Sequence, residues 1–200
     1  MRKIIVFSDY ICPFCYIGKH RMEELAAEFV LQSVWKPFEI HPEVPPEGVP
    51  IEHFPIPLLE RLETTVRALA GETGIQMKIP RKLSNSRLAL VGGEVAREAE
   101  RFEAYHEAVF QAYFQNEQDI GDVEVLARIA ETIGLEREPF LHALSEKRFL
   151  DSIEAVRREA LSIGLTAVPS FVLVDSSVIT GVQPDSMMRK AIENSLQRER

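Results

Sequence analysis

Cysteine is scarce in this sequence: Cys12 and Cys15 are the only two in 200 residues. A structural zinc site takes about four Cys or His ligands, and there is no second cysteine pair to supply them. The five histidines are scattered along the chain, without an H-x-x-x-H pair. A stabilising role for a disulfide is also disfavoured, because a ring of three residues constrains the unfolded chain very little. The pair therefore indicates redox chemistry, and we expect no metal site.

Basic charge and long apolar segments are also lacking. The chain has 23 Lys and Arg against 31 Asp and Glu, a net charge of -8, which argues against nucleic acid as a partner. No apolar run approaches the ~20 residues of a transmembrane helix, and residues 4–7 are too short for the apolar part of a signal peptide. We therefore expect a cytoplasmic protein with no membrane partner. In that compartment thiols are kept reduced, and disulfides are usually catalytic.

The first 41 residues have the pattern of a βαβ unit. Residues 4–7 are β-branched and apolar and predict a buried strand. Apolar residues then recur at helical spacing over residues 13–30. Residues 34–40 predict a second strand, which Pro37 places at an edge or a bulge. Such units normally form a parallel sheet.

The rest of the chain predicts a helical block followed by a return to the sheet. Six prolines between residues 42 and 57 indicate an extended connector. Helical periodicity without a convincing strand follows, in candidate helices at 58–70, 87–100, 101–115, 122–133 and 138–147. A helix near 149–163, a hairpin of strands 170–174 and 178–180, and a helix from about Pro184 complete the chain. We therefore predict an α/β domain, residues 1–57 and 149–200, with an all-helical insertion at 58–148.

The cysteine pair falls where the first strand gives way to the first helix. Pro13 suits the first helical position, so the backbone N–H groups of Phe14 and Cys15 are expected to point at the Cys12 sulfur and, with the helix dipole, to favour its thiolate. Cys15 lies one turn later, close enough to close a small disulfide ring. This arrangement suits a dithiol that attacks with Cys12 and resolves with Cys15. His20 lies too far along the helix to share a metal with Cys12.

Several stretches resemble a known family. A C-x-x-C after the first strand, with Val-Pro before a late strand, resembles the pattern of the thioredoxin superfamily. The large helical block between the two halves resembles that of one family within it, the DsbA family. Within it, SDYICPFCYIGK, WKPFEIHP, AVPSFVL and GVQP are similar to cytoplasmic FrnE-like oxidoreductases. The resemblance implies a thioredoxin-like fold with an inserted all-helical domain, and protein-disulfide oxidoreductase or isomerase activity.

The resemblance also implies roles for individual residues. Cys12 would be the exposed nucleophile and Cys15 the buried resolving thiol. Pro169 would be a cis-proline facing the disulfide, and Val168 would offer its backbone to an extended substrate peptide; the isolated segment would equally suit an ordinary proline at the start of a strand. Phe14 stands where DsbA has histidine and FrnE-like proteins often have tryptophan. Phenylalanine donates neither a hydrogen bond nor a charge, so we expect a less oxidising couple than that of DsbA.

Two further residues have competing interpretations. Glu39, predicted to share a strand face with Trp35 and Pro37, either accepts a proton from Cys15 or faces solvent at the sheet edge. His41 either lines the substrate groove or is a surface residue at a strand end. A mainly aromatic stripe at helical spacing is interpreted mainly as core of the insertion, and otherwise as a border of the active-site groove. Its members are Phe102, Tyr105, Val109, Phe110, Tyr113 and Phe114.

Three functional hypotheses follow. The first is a thiol–disulfide oxidoreductase acting on protein or small-molecule thiols and disulfides, with no cofactor beyond the Cys12–Cys15 disulfide and with glutathione or a thioredoxin-type protein as redox partner. The second is a glutathione-dependent transferase or 2-hydroxychromene-2-carboxylate isomerase, although such relatives typically have serine in place of the first cysteine and lack the second. The third is a chaperone-like binding module. The helical block has enough apolar surface to allow a homodimer.

Overall fold

The computed structural model describes residues 1–198 and has a four-stranded sheet at its centre. Strand β1 (Lys3–Ser8) pairs in parallel with β2 (Gln32–Pro37), with Ser8 opposite Pro37. On its other side β1 pairs antiparallel with β5 (Ser170–Val172), which pairs antiparallel with β6 (Val178–Thr180). The order β2-β1-β5-β6 places β2 at an edge. The predicted βαβ unit, edge strand and late hairpin are thereby confirmed.

Eight α-helices occur within residues 1–198. They are α1 (Pro13–Phe29), α2 (Ile56–Thr73), α3 (Arg87–Glu98), α4 (Phe102–Phe114), α5 (Val123–Thr132), α6 (Arg137–Ser145), α7 (Leu150–Ser162) and α8 (Asp185–Arg198). Pro13 stands at the start of α1, as expected, because its missing N–H would have no helical partner there. None of the helices in this part of the chain is both long and apolar enough to cross a membrane.

The expectation of no strand between residues 58 and 148 is wrong in one place. Strand β4 (Lys82–Leu83) pairs antiparallel with β3 (Val49–Pro50), and a 3-10 helix (Ile51–His53) follows β3. The proline-rich connector is therefore partly ordered by a two-residue ladder, which is too short to leave a periodicity in the sequence. The boundaries of the predicted insertion, 58 and 148, stay a prediction.

The second strand is shorter than expected. It ends at Pro37, so Glu39 and His41 lie beyond the strand and not on it. The chain turns inward at this point: Phe38 is buried, and its N–H bonds to the Ser8 carbonyl at 2.9 Å. The predicted alternation of Trp35, Pro37 and Glu39 on one strand face therefore fails at Glu39.

The aromatic stripe of α4 is buried core, as its main interpretation predicted. Tyr105, Phe110, Tyr113 and Phe114 belong to one apolar cluster. That cluster also contains Cys15, so Cys15 and the helical block share one apolar core. Phe102 instead joins the cluster beneath the sheet, which includes residues of β1, α1 and α8.

Candidate active site

The Cys12–Cys15 pair lies at the junction of β1 and α1. After Ser8 the chain makes a short turn in which the Cys12 N–H bonds to the Asp9 carbonyl at 3.2 Å. Cys12 has an extended backbone, φ -88° and ψ 114°, and α1 begins at Pro13. The Cys15 N–H then bonds to the Cys12 carbonyl at 3.0 Å. Both cysteines are free thiols, Cys12 half-buried and Cys15 fully buried.

The Cys12 thiol faces the loop that precedes β5. Its Sγ lies 3.5 Å from the Val168 carbonyl oxygen, to which the thiol donates. The Val168–Pro169 peptide bond is cis, in agreement with the implied cis-proline. The expected contacts from helical N–H groups to the Cys12 sulfur are not formed in this thiol state, because the side chain makes no capping hydrogen bond. The substrate-binding role of Val168 and Pro169 stays a prediction.

The Cys15 thiol is held in an environment that opposes its ionisation. Burial raises its pKa well above the ordinary value, and the adjacent Cys12 thiol adds to the shift. The Asp9 backbone N–H and the Ser8 hydroxyl act in the other direction, because both face the sulfur and lower the pKa. Ser8 and Asp9 are therefore the groups that favour a Cys15 thiolate. Neither was among the residues predicted from the sequence.

The Asp9 carboxylate is completely buried beside the site. Burial raises its pKa to about 6, although the N–H groups of Ile40 (2.8 Å) and Ile11 (3.4 Å) donate to its oxygens and oppose that shift. The charge of Glu39 raises the pKa further. A polar residue directly after a buried strand was the available sequence signal for this position.

Glu39 is buried, so the interpretation as a solvent-facing residue is wrong. Its side chain is 3% exposed and accepts hydrogen bonds from the Arg87 guanidinium at 3.0–3.2 Å. The Arg157 Nε bonds to its backbone carbonyl at 2.8 Å. The carboxylate therefore has a cation as its partner and ties the sheet region to α3. Proton transfer from Cys15 to Glu39 stays a prediction.

His41 and Phe14 have different surroundings. His41 is exposed, and its Nδ1 lies 2.8 Å from a carboxylate oxygen of Glu43. Its role in a substrate groove stays a prediction. Phe14 is partly buried and packs on the apolar cluster that contains Ile17 and Val66. The second residue of the C-x-x-C spacer is thus fixed against α2 by apolar contact.

The glycine of the CPFCYIGK stretch, Gly18, lies at a close contact between α1 and the segment around Pro169. A Cβ at this position would lie 3.1 Å from both Pro169 Cγ and Phe171 Cζ. A glycine therefore allows α1 to approach the cis-proline segment closely. A glycine in the middle of a helical pattern is the signal that could have identified this contact.

The GVQP stretch is held in place by Arg21 of α1. Its guanidinium donates to the Gln183 carbonyl and to the Glu72 carboxylate, the latter at 2.9 Å. The arginine is almost fully buried, so α1 fixes the loop after β6 and also contacts α2. Within residues 1–198 there is no cluster of three or more His, Cys, Asp or Glu side chains that could hold a metal ion.

Comparison with known proteins identifies the family. The model of the DSBA-like thioredoxin domain matches residues 3–193. The chain belongs to the DSBA-like thioredoxin domain family. A curated relative, the uncharacterized protein YwbO of Bacillus subtilis (strain 168), is 33% identical over 199 residues, covering 96% of each chain.

Solved structures share the fold over almost the entire length. A probable DsbA oxidoreductase from Streptomyces coelicolor is 25% identical with a TM-score of 0.88, covering 98% of this chain and 91% of its own. A 2-hydroxychromene-2-carboxylate isomerase has 20% identity and a TM-score of 0.79, covering 98% and 97%. The cytosolic disulfide reductase DsbM of Pseudomonas aeruginosa has 17% identity and a TM-score of 0.67, covering 98% of each. The thioredoxin-like fold with a helical insertion is thereby confirmed for this member of the family.

Proposed function

We propose that this DSBA-like protein is a thiol–disulfide oxidoreductase that uses Cys12 as nucleophile and Cys15 as resolving thiol. The observation that supports this most directly is the asymmetry of the pair. Cys12 is half-buried beside the Val168 carbonyl, whereas Cys15 is fully buried and faces Cys12. A substrate disulfide can reach only the first sulfur, and the second can then attack the mixed disulfide from inside.

The proposed substrates are thiols and disulfides of proteins or small molecules. One solved structure of DsbM contains glutathione, which supports glutathione as a redox partner to try first. The cytosolic location of DsbM supports a cytoplasmic site of action, as proposed for the FrnE-like subgroup. The direction of the exchange depends on the reduction potential of the Cys12–Cys15 couple.

The test is redox cycling in glutathione buffers, with free thiols counted at equilibrium. The wild-type pair is expected to titrate as a two-electron couple. Cys12→Ser should lower the rate of reaction with disulfides to the background rate. Cys15→Ser should accumulate a stable mixed disulfide on Cys12. A wild-type pair that does not cycle would contradict the proposal and favour the isomerase-like or chaperone-like alternatives.

A further inference from the structure

Ser8 occupies an unusual position for a buried hydroxyl. It is the last residue of β1, and alternation along the strand places it on the same face as Ile4 and Val6. Those two pack in the cluster that contains Met22 and Leu25 of α1. Ser8 therefore points toward α1 at the level of the first turn of that helix, where Cys15 lies.

The Ser8 hydroxyl has no hydrogen-bond partner of full geometry among residues 1–198, although the side chain is only 4% exposed. A buried polar group without a partner costs stability, so it needs an explanation. The alternation of β1 places Ser8 on the side of Cys15, and the hydroxyl lowers the pKa of that thiol. A neutral thiol is a weak acceptor, whereas a thiolate is a strong one. The partner of this hydroxyl is therefore expected to form during the reaction and not in the resting thiol.

A second buried group without a partner lines the same cavity as Ser8. His106 of α4 is 3% exposed; its Nδ1 lies 3.1 Å from the Tyr10 hydroxyl, and its Nε2 has no partner in the described chain. Ser8 and His106 line the same cavity, about 20 Å³ in volume, which is enough for one water molecule. Burial lowers the pKa of His106 well below its usual value, so the imidazole is neutral. In the tautomer whose Nδ1–H donates to the Tyr10 hydroxyl, Nε2 is an acceptor.

We propose that the Ser8 hydroxyl donates its hydrogen to the Cys15 thiolate during resolution, and that one buried water between Ser8 and His106 orients it. The water donates one hydrogen to His106 Nε2 and the other to Ser8 Oγ, which leaves the hydroxyl hydrogen free for the sulfur. Ser8 is then a catalytic residue, since it touches a reacting atom, and His106 is a positioning residue. This inference rests on the proposed function.

The chemical step balances without a further reactant. Cys15 loses its proton, and its thiolate attacks the Cys12 sulfur of the mixed disulfide. The Cys12–Cys15 bond forms as the bond to the substrate sulfur breaks. The electron pair leaves on the substrate sulfur, which takes up a proton from solvent in place of the one that Cys15 lost. The protein dithiol is oxidised and the substrate disulfide is reduced to two thiols.

The test separates the two half-reactions in one stopped-flow experiment. The reduced protein reacts with an equimolar nitrobenzoate disulfide, which releases one coloured thiolate when Cys12 forms the mixed disulfide and a second when Cys15 resolves it. Ser8→Ala should leave the first phase unchanged and slow the second about ten-fold or more, the loss typical of a hydrogen bond to a charged group. Ser8→Thr, which keeps a hydroxyl, should restore much of the second phase.

The matched control is Ser33→Ala. Ser33 is a β2 serine whose buried hydroxyl also lacks a partner in the described chain, but it does not line the cavity. Its variant should keep both phases. If Ser8→Ala resolves as fast as Ser33→Ala, the inference is overturned while the proposed function stands. If the wild-type protein lacks the first phase, the proposed function itself has failed.

The role of His106 is tested through Ser8. His106→Phe keeps a ring but lacks the acceptor and should slow the second phase only, whereas His106→Gln places an amide oxygen near the position of Nε2 and should recover part of the rate. In the Ser8→Ala background, His106→Phe should have little further effect. Independent, multiplying losses in the double variant would contradict the water link, since they would mean that the two residues act separately.

Discussion

The Cys12 sulfur lies 3.5 Å from the carbonyl oxygen of Val168, a residue 156 positions later in the chain. The pairing of β1 with β5 brings these atoms together. Strand β1 ends just before Cys12, and β5 begins just after Val168–Pro169 and runs antiparallel to β1. The surroundings of the Cys12 sulfur therefore depend on how closely α1 approaches the segment that precedes β5.

Gly18→Ala should disturb that approach. The added Cβ would lie 3.1 Å from Pro169 Cγ and Phe171 Cζ, so one element must move. Overpacking of this kind costs about 1–3 kcal/mol, against a gain in helix propensity of about 1 kcal/mol. We expect a net loss of about 1 kcal/mol in the free energy of unfolding and slower reaction of Cys12 with disulfides, measured by denaturant titration and stopped flow.

The matched control is Gly71→Ala in α2, where a Cβ would meet nothing within 4 Å. This substitution should stabilise the protein by about 0.5–1 kcal/mol through helix propensity alone. Equal stabilisation by Gly18→Ala would show that the contact between α1 and Pro169 is not tight.

Asp9→Asn should make the protein more stable at neutral pH. The pKa of Asp9 is about 6 in the folded state and 3.8 ordinarily, so the folded state binds its proton more tightly. The stability that this group contributes is full below pH 4 and is lost as the pH rises through about 6. The loss is at most about 3 kcal/mol. The stability of Asp9→Asn relative to wild type should therefore increase by up to this amount between pH 4 and 7, measured by urea unfolding.

Asp119→Asn should change the pH dependence of stability in the direction opposite to Asp9→Asn. Burial raises the pKa of Asp119, but hydrogen bonds from Lys82 (2.6 Å) and Ser84 (2.6 Å) outweigh it and leave the pKa lowered. This variant should lose stability relative to wild type as the pH rises toward about 4 and should stay less stable by a constant amount above it, because the ionised wild-type carboxylate is the favoured form. Parallel curves for wild type and Asp9→Asn would contradict the raised pKa of Asp9.

Arg87→Ala should lower the free energy of unfolding more than Arg87→Ala/Glu39→Gln, which removes both charges of the ion pair. The Glu39 carboxylate would remain buried without its cation, which costs about 3–5 kcal/mol for a fully buried pair. Arg87 is about one-third exposed, so we expect a smaller loss, about 2 kcal/mol, with part of it recovered in Arg87→Ala/Glu39→Gln. Denaturant titration of the two variants measures this recovery.

The single variant Glu39→Gln tests the interpretation of Glu39 as a proton acceptor. We expect Glu39→Gln to resolve the mixed disulfide within about two-fold of the wild-type rate, because the carboxylate is bound by Arg87. A loss similar to that of Ser8→Ala would instead support proton transfer from Cys15 to Glu39.

Local patterns in the sequence were sufficient for the framework of this site. The apolar run of β1, the position of Pro13 and the spacing of Cys12 and Cys15 are adjacent in the chain, so periodicity and helix-start rules identify them. The long-range partners could not be found in this way. Glu39 was predicted on a strand because alternation continues past Pro37, but the chain turns inward to bury Phe38, and the partner of the carboxylate lies 48 residues away in α3.

Ser8 and His106 were missed for the same reason. A serine at a strand end and a histidine on an aromatic helix face are unremarkable alone, and only the folded chain places them around one cavity. Val168 and Pro169 were identified only through a family resemblance, since nothing local distinguishes this Val-Pro from any other strand start.

Phe14→His should make the Cys12–Cys15 couple more oxidising. Phe14 packs on an apolar cluster with Ile17 and Val66 and offers no hydrogen bond or charge to a thiolate, so the reduced form lacks the stabilisation that makes DsbA a strong oxidant. We expect the wild-type potential to be well below about -120 mV, toward the thioredoxin value of about -270 mV, and the variant to lie tens of millivolts higher. Equilibration with glutathione buffers measures both. Phe14→Leu, which keeps an apolar side chain, should stay near the wild-type potential, and a shift as large as that of Phe14→His would show that packing, not charge or hydrogen bonding, controls the couple.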